Sequence, residues 1–448
     1  MSIKRNGALS LLTAALLAAC GGGGDDAPPA RGTIITAQLA AQVAMATIDA
    51  GTAASGAQAL TGLAQCDVDI RYVYYVTRDP AGQPATASTA VMVPSGTGAN
   101  CSGERPVLLH AHGTTTAKSY NIADVAHNSE GALLMSMYAA QGFIVVAPNY
   151  LGYDRSSLSY HPYILAEANA VDMVDGLRAA KAHLAAASAV KPSAKLLVTG
   201  YSEGGYVAMA THKVIERDHA GEFTVTASGP MSGPYNWLKT VDVAYGAGPV
   251  PAGAVLFTPL ILTGYQKTYG DIYASVNEVY QSPYAATAET LFPTDTAVSD
   301  LMAQGKLPAD PTLTMIWGTG GLLTDSFRTA YASSRLRKRI EENSLLGWTP
   351  KRPMALCGGA EDPTIFYFNA TDAQADFAAR GAQVPAFNLE SRSTLPSGAL
   401  GDALYAGFQA RKTAAGTNAT AQYHGGLVPP FCTALMRGFF QQTLASGL

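Results

Sequence analysis

The chain is poor in charge. Only 14% of its 448 residues are Asp, Glu, Lys or Arg, against roughly 25% in an average soluble domain. No block of Lys and Arg interrupts it, and the formal net charge is −4. A nucleic-acid partner is therefore not expected, because that needs a clustered basic face. Heptads and internal repeats are missing, which removes coiled-coil and solenoid architectures. Cysteine is scarce at five residues, and its spacings match no zinc pattern, so no metal site is expected. Beyond the first twenty residues no run approaches the eighteen or so apolar residues of a membrane span. What is abundant is small and apolar: 48% of the chain is hydrophobic and 45 residues are glycine. Such a chain can bury a sizeable core as one large domain with insertions, or as two.

Residues 1–19 stand apart from the rest. Lys4 and Arg5 precede an uncharged stretch from Ala8 to Ala19, too short to span a bilayer and laid out like a secretory signal peptide. Its end, Leu17-Ala18-Ala19-Cys20, resembles the lipobox of bacterial lipoproteins, which implies lipidation of Cys20. The following "GGGGDDAPPARG" suits a flexible tether. Export to the cell envelope is expected, with a membrane held through the anchor. The lipoprotein pattern implies the outer membrane, since Gly21 rather than aspartate follows the cysteine; simple secretion is the alternative. Four cysteines then remain, Cys66, Cys101, Cys357 and Cys432, an even number that in an exported protein implies two disulfides in one of three connectivities.

From Asp69 the pattern becomes that of strands. "IRYVYYVT" and "ASTAVMVP" flank a turn cluster, and "PVLLHAHG", "GFIVVAPNY", "AKLLVTGY" and "EFTVTASGP" are apolar runs suited to strands buried on both faces. Between them "GALLMSMYAAQ" and the stretch Ile164–Ala187 have helical spacing. Strand–helix alternation predicts an α/β fold with a mostly parallel sheet and helices on both faces. After Pro234 the rhythm breaks, and it returns at "RPMALCGG" and "VPAFNLE". Because the sheet resumes, the intervening segment reads as a helical cap over the strand ends rather than a separate domain. The expected division is a signal peptide (1–19), anchor, tether and N-terminal segment (20–65), and core (66–234). A cap or lid (235–350) and a second part of the core (351–448) complete it.

The chemistry begins in "LLVTGYSEGGYVAMATHKVI". Gly200-x-Ser202-x-Gly204 is weak as a bare pattern in a glycine-rich chain, but here it follows a buried strand and opens a helix, the setting of a nucleophile elbow. A serine on such a strained turn projects its hydroxyl, and close packing leaves no room for side chains at Gly200 and Gly204. The hydroxyl needs a base, and around an elbow of this kind the partners follow in the order serine, acid, histidine. His212 and His219 lie on or just past the helix after Ser202, which leaves His424, in "QYHGGLVPPF", as the base. "MALCGGAEDPTIFYFNATD" offers Glu361, Asp362 and Asp372 as the acid; Asp362, in the loop just past the strand and before Pro363, fits best, while Asp372 looks like a helix start. Cys357 and Cys432 lie five residues before Asp362 and eight after His424. A bond between them would tie acid to base, which favours the pairs Cys66–Cys101 and Cys357–Cys432. An oxyanion hole would take the N–H of Glu203 and one from Gly113 or Thr114, after the strand "LLHAHG".

Together these residues resemble the α/β-hydrolase superfamily. "APNYLGYDRSSLSYHPYILAEANAVDMVDGLRAAK" with "VTGYSEGGYVAMA" is similar to the secretory lipase group. The resemblance runs from about Ile70 to the C-terminus. It implies a serine carboxylic-ester hydrolase with Ser202, Asp362 and His424 as triad, a lid at 235–350 and no cofactor; the cap's tyrosines and apolar residues suggest a hydrophobic acyl or aromatic ester as substrate. Glu203 departs from the glycine often found after the nucleophile there, and the lipid anchor is foreign to the secreted members. Alternatives within the same chemistry are a serine peptidase of the prolyl oligopeptidase type, whose propeller has no counterpart here, a polyester depolymerase and an acyltransferase. A non-catalytic binding protein is the alternative from another class. Oligomeric state is not legible.

Overall fold

The computed structural model describes residues 28–246 and 248–447. The expected signal peptide and Cys20 lie outside the described residues. Nine strands form one mixed sheet: β1 (Ile34–Val43), β2 (Asp67–Arg78), β3 (Pro84–Ser95), β4 (Glu104–Ala111), β5 (Ile144–Pro148), β6 (Lys191–Tyr201), β7 (Val225–Met231), β8 (Leu356–Gly358) and β9 (Ala386–Asn388). Their order is β1-β2-β3-β5-β4-β6-β7-β8-β9. The first three and the β3–β5 pair are antiparallel; from β5 across to β9 every pairing is parallel. The expected mostly parallel sheet is therefore present, extended by an antiparallel edge.

Adjacent residues of the central strands enter opposite cores, as the two-residue period of a strand demands. Leu109, Val146 and Val198 join the core under the helices Ala166–Ala187 and Glu203–Asp218. Their neighbours Leu108, Val145 and Leu197 join the other core, with Leu435 and Phe440 of the helix Val428–Ala445. With both faces covered, β5 and β7 are buried throughout, which is why their sequences read as unbroken apolar runs. β1 escaped the sequence reading for the opposite reason. It is exposed along most of its length, so no apolar period marks it, and its ladder with β2 supplies its order.

Between β7 and β8 the chain leaves the sheet for the helices Trp237–Tyr245, Ala254–Tyr269, Val298–Ala303, Asp325–Ala330 and Arg335–Glu342. Disulfides join Cys66 to Cys101 and Cys357 to Cys432. The second fastens β8 to the helix Val428–Ala445.

Candidate active site

Ser202 stands between the end of β6 and the helix Glu203–Asp218 with φ 61° and ψ −123°, a region that L-residues avoid. Packing enforces that turn. A Cβ on Gly200 would lie 2.2 Å from the Gly204 carbonyl oxygen, and one on Gly204 would lie 1.9 Å from that of Ala111. No side chain fits either place, and the Ser202 N–H is secured to Met231 O at 3.0 Å. Strain at a single residue, held by its surroundings, is a common mark of functional sites.

Three residues distant in sequence meet at the Ser202 hydroxyl. His424 Nε2 lies 2.7 Å from Ser202 Oγ, and His424 Nδ1 lies 2.7 Å from Asp362 Oδ2. With Asp362 accepting from Nδ1–H, Nε2 is left free to accept the serine proton. Asp362 is 3% exposed, and its Oδ1 accepts from the Thr364 and Ile365 N–H groups at 2.9 and 3.0 Å. His424 is carried on a π-helical turn, Tyr423–Leu427, that runs straight into Val428–Ala445, rather than on the loop expected. Tyr201 OH donates to the His424 carbonyl at 2.6 Å and pins this turn to the elbow strand. The rival acids are elsewhere. Glu361 pairs with Lys412. Asp372 accepts from Lys239 and Asn236 and lies one turn inside the helix Phe368–Ala379, not at its start.

The loop after β4 brings Gly113 and Thr114 to the same place. Gly113 N–H is already taken, donating to both Glu130 oxygens at 3.2 and 3.3 Å, whereas no acceptor among the described residues takes the Thr114 N–H. Thr114 is thus the free donor beside Ser202, together with the Glu203 N–H at the start of its helix. Glu130 escaped the sequence reading. Burial alone would raise its carboxyl, but His110, 2.8 Å away, His112 and the Gly113 N–H outweigh that and hold it below the ordinary carboxylate value. His110 and His112 are buried. His112 stacks on Tyr150 at 3.9 Å, and burial lowers its pKa. The Glu203 side chain turns inward. Its Oε1 meets His161 Nε2 at 2.6 Å with both side chains sealed from solvent, and His161 Nδ1 donates to Leu151 O at 2.8 Å. Nothing in the sequence signals the Glu130–His110 or Glu203–His161 pairs, since each joins separate elements through a fold that no local pattern encodes.

Two spaces open from Ser202. A narrow cavity of about 70 Å³ runs past Glu203 into the helical insertion, walled by Trp237, Val241, Ala244, Phe257, Ile261 and Ile316. On the other side lies a wide cleft of about 1010 Å³ that includes Thr114, Glu130 and His424. Among the described residues no cluster of His, Cys, Asp and Glu is arranged to hold a metal ion.

Comparison with known proteins gives a consistent relationship. The family model described as the prolyl oligopeptidase family matches residues 131–241. No curated protein matches the chain. Among solved structures, the rice cell wall degrading esterase LipA from Xanthomonas oryzae is 31% identical, covering 80% of this chain and 91% of that one at a TM-score of 0.72. A protein from Legionella pneumophila subsp. pneumophila str. Philadelphia 1 is 20% identical over 92% of this chain and 98% of its own, at 0.71, and shares the fold. Candida antarctica lipase A, at 12% identity over 80% and 77% of the two chains and 0.56, shares the fold.

Proposed function

The chain belongs to the α/β-hydrolase family that includes the Xanthomonas oryzae esterase LipA, and from that premise we propose that it is a serine carboxylic-ester hydrolase acting through an acyl-serine intermediate. The observation that carries this reading is the hydrogen-bonded chain Ser202–His424–Asp362, 2.7 Å at each link. Ser202 Oγ attacks the ester carbonyl as its proton passes to His424 Nε2. Asp362 orients the imidazole and stabilises the imidazolium. The oxyanion is received by the Glu203 and Thr114 N–H groups. His424 then returns its proton to the departing alkoxide as the carbonyl–oxygen bond breaks. Water, deprotonated in turn by His424, releases the acid.

The narrow apolar cavity favours a slim hydrophobic acyl chain, in line with recognition by largely apolar, preformed pockets. The test is hydrolysis of p-nitrophenyl esters from acetate to palmitate by the chain lacking residues 1–20, beside Ser202→Ala. Activity with an optimum at short to medium chains, lost in the variant, is expected; equal inactivity of both proteins would sink the reading. A peptidase is a second reading because the prolyl oligopeptidase model matches residues 131–241. That stretch includes the elbow strand and helix, which ester and peptide hydrolysis use alike. Peptide p-nitroanilides in the same assay separate the two.

A further inference from the structure

Both residues assigned to the oxyanion hole are held from behind by one stretch of chain. His161-Pro162-Tyr163 lies between β5 and the helix Ala166–Ala187. His161 Nε2 meets Glu203 Oε1 at 2.6 Å, and Tyr163 OH meets Thr114 Oγ1 at 2.8 Å. Glu203 and Thr114, far apart in sequence, are thus gripped through their side chains by neighbours in one short segment. Resting on the esterase reading above, we propose that His161 and Tyr163 are positioning residues for the hydrolysis. They form one brace that sets both oxyanion donors and keeps the Glu203 side chain free of net charge.

The segment is built to hold still. His161 and Tyr163 are both buried. The Tyr163 N–H donates to the His161 carbonyl at 2.9 Å, and Asn169 Nδ2 donates to that of Pro162 at 3.1 Å. The insertion closes over it. A Cβ on Gly264, in the helix Ala254–Tyr269, would lie 3.1 Å from His161 O and 3.2 Å from Tyr163 N. Phe257 of the same helix stacks on the Tyr163 ring at 6.3 Å, and Tyr150 and Tyr153 pack on the imidazole at 5.5 and 4.8 Å. Donors fixed before the reaction need no reorganisation as charge develops.

Charge explains the pairing at Glu203. His161 Nδ1 donates to the Leu151 carbonyl, so it carries a proton. Two bare lone pairs cannot face each other across 2.6 Å, so another proton lies between Nε2 and Oε1. Whichever atom holds it, the pair has no net charge. Glu203 Oε2 meets no partner among the described residues. Without His161 a buried carboxylate would be stranded on a residue of the oxyanion hole, where it opposes the charge of the transition state.

The test separates transition-state binding from folding. On the full chain, p-nitrophenyl butyrate gives kcat and KM, and butane-1-boronic acid gives a Ki. The boron takes Ser202 Oγ as its fourth ligand while the serine proton passes to His424, which leaves a tetrahedral anion beside the oxyanion donors. Tyr163→Phe removes a single oxygen; kcat is expected to fall roughly tenfold at nearly constant KM, and Ki to rise by a similar factor. His161→Ala is expected to cost about a hundredfold in both kcat and boronate affinity. Adding Glu203→Gln to His161→Ala removes the stranded charge and is expected to recover roughly tenfold. A residue that only stabilised the fold would lower Tm and leave the Ki of the folded enzyme in place. Unchanged kcat in both single variants, or a fall in kcat without a matching rise in Ki, overturns the proposal. A double variant no better than His161→Ala overturns its charge argument. Should His161→Ala yield no soluble protein, Tyr163→Phe decides alone. If the parent chain leaves the ester intact, the esterase reading falls first and takes this one with it.

Discussion

At the scale of single residues, the proposed hydrolysis turns on proton position. Asp362 holds His424 in the tautomer that leaves Nε2 open to Ser202. Asp362→Asn presents an amide to Nδ1 and reverses that preference, so kcat is expected to fall by about 10⁴ with little change in KM. Steady-state kinetics on p-nitrophenyl butyrate check it; a loss of only a few-fold would remove Asp362 from its role. Glu130 acts one layer back. By accepting the Gly113 N–H it fixes the backbone that presents Thr114. Glu130→Ala is expected to lower kcat by roughly a hundredfold, the effect of a misplacement near 1 Å. Glu130→Gln, which still accepts the N–H, is expected to recover much of that loss. If both variants match the parent, the loop is held by other means.

At the scale of elements, close approach and cross-linking govern the site. β4, β6 and the helix Glu203–Asp218 touch where Gly204 meets the Ala111 carbonyl. Gly204→Ala must push the strand or helix away, and the expected result is little soluble protein or an elbow without activity. The disulfide Cys357–Cys432 closes a sequence separation of 75 residues and joins the strand leading to Asp362 with the helix that follows His424. Replacing both cysteines by serine is expected to cost about 2–4 kcal/mol, measured by denaturant unfolding. Activity is expected to fall more steeply with temperature than in Cys66→Ser/Cys101→Ser. That second bridge lies far from the triad in sequence and ties the chain before β2 to the turn before β4.

At the scale of the whole molecule, one buried acid couples stability to pH. Burial pushes the Asp172 carboxyl up to about 7, with Asp175 adding to the shift and the Tyr75 hydroxyl opposing it. The folded state thus keeps a proton that the unfolded chain gives up near 3.8. The sign follows: between pH 4 and 7 the folded state binds more protons, and stability falls as pH rises, by about 1 kcal/mol per pH unit from this group. Asp172→Asn is expected to flatten that slope, seen as a Tm less dependent on pH over this window; an unchanged slope would show that the group titrates normally. The lipid anchor is proposed at the same scale. Labelled palmitate is expected in the full chain and to vanish in Cys20→Ala.

Much of this protein was legible one segment at a time. Buried strands such as "GFIVVAPNY" announce themselves because both faces are covered, and the Gly-x-Ser-x-Gly turn because only glycine fits against neighbouring backbone. The exposed strand β1 was illegible, since nothing apolar marks a strand that buries neither face. The π-helical seat of His424 was illegible too, because tertiary contacts such as the Tyr201 hydrogen bond hold it. By itself the sequence determined the fold class, which follows from local period, and named Ser202, Asp362 and His424, which the structure brings within hydrogen-bond reach of one another. Only the tertiary structure decided that Gly113 is occupied by Glu130 and that Glu203 is buried against His161. It alone set a narrow cavity on one side of Ser202 and a wide cleft on the other. These depend on which distant side chains the fold brings within hydrogen-bond reach, and such distances have no local signature.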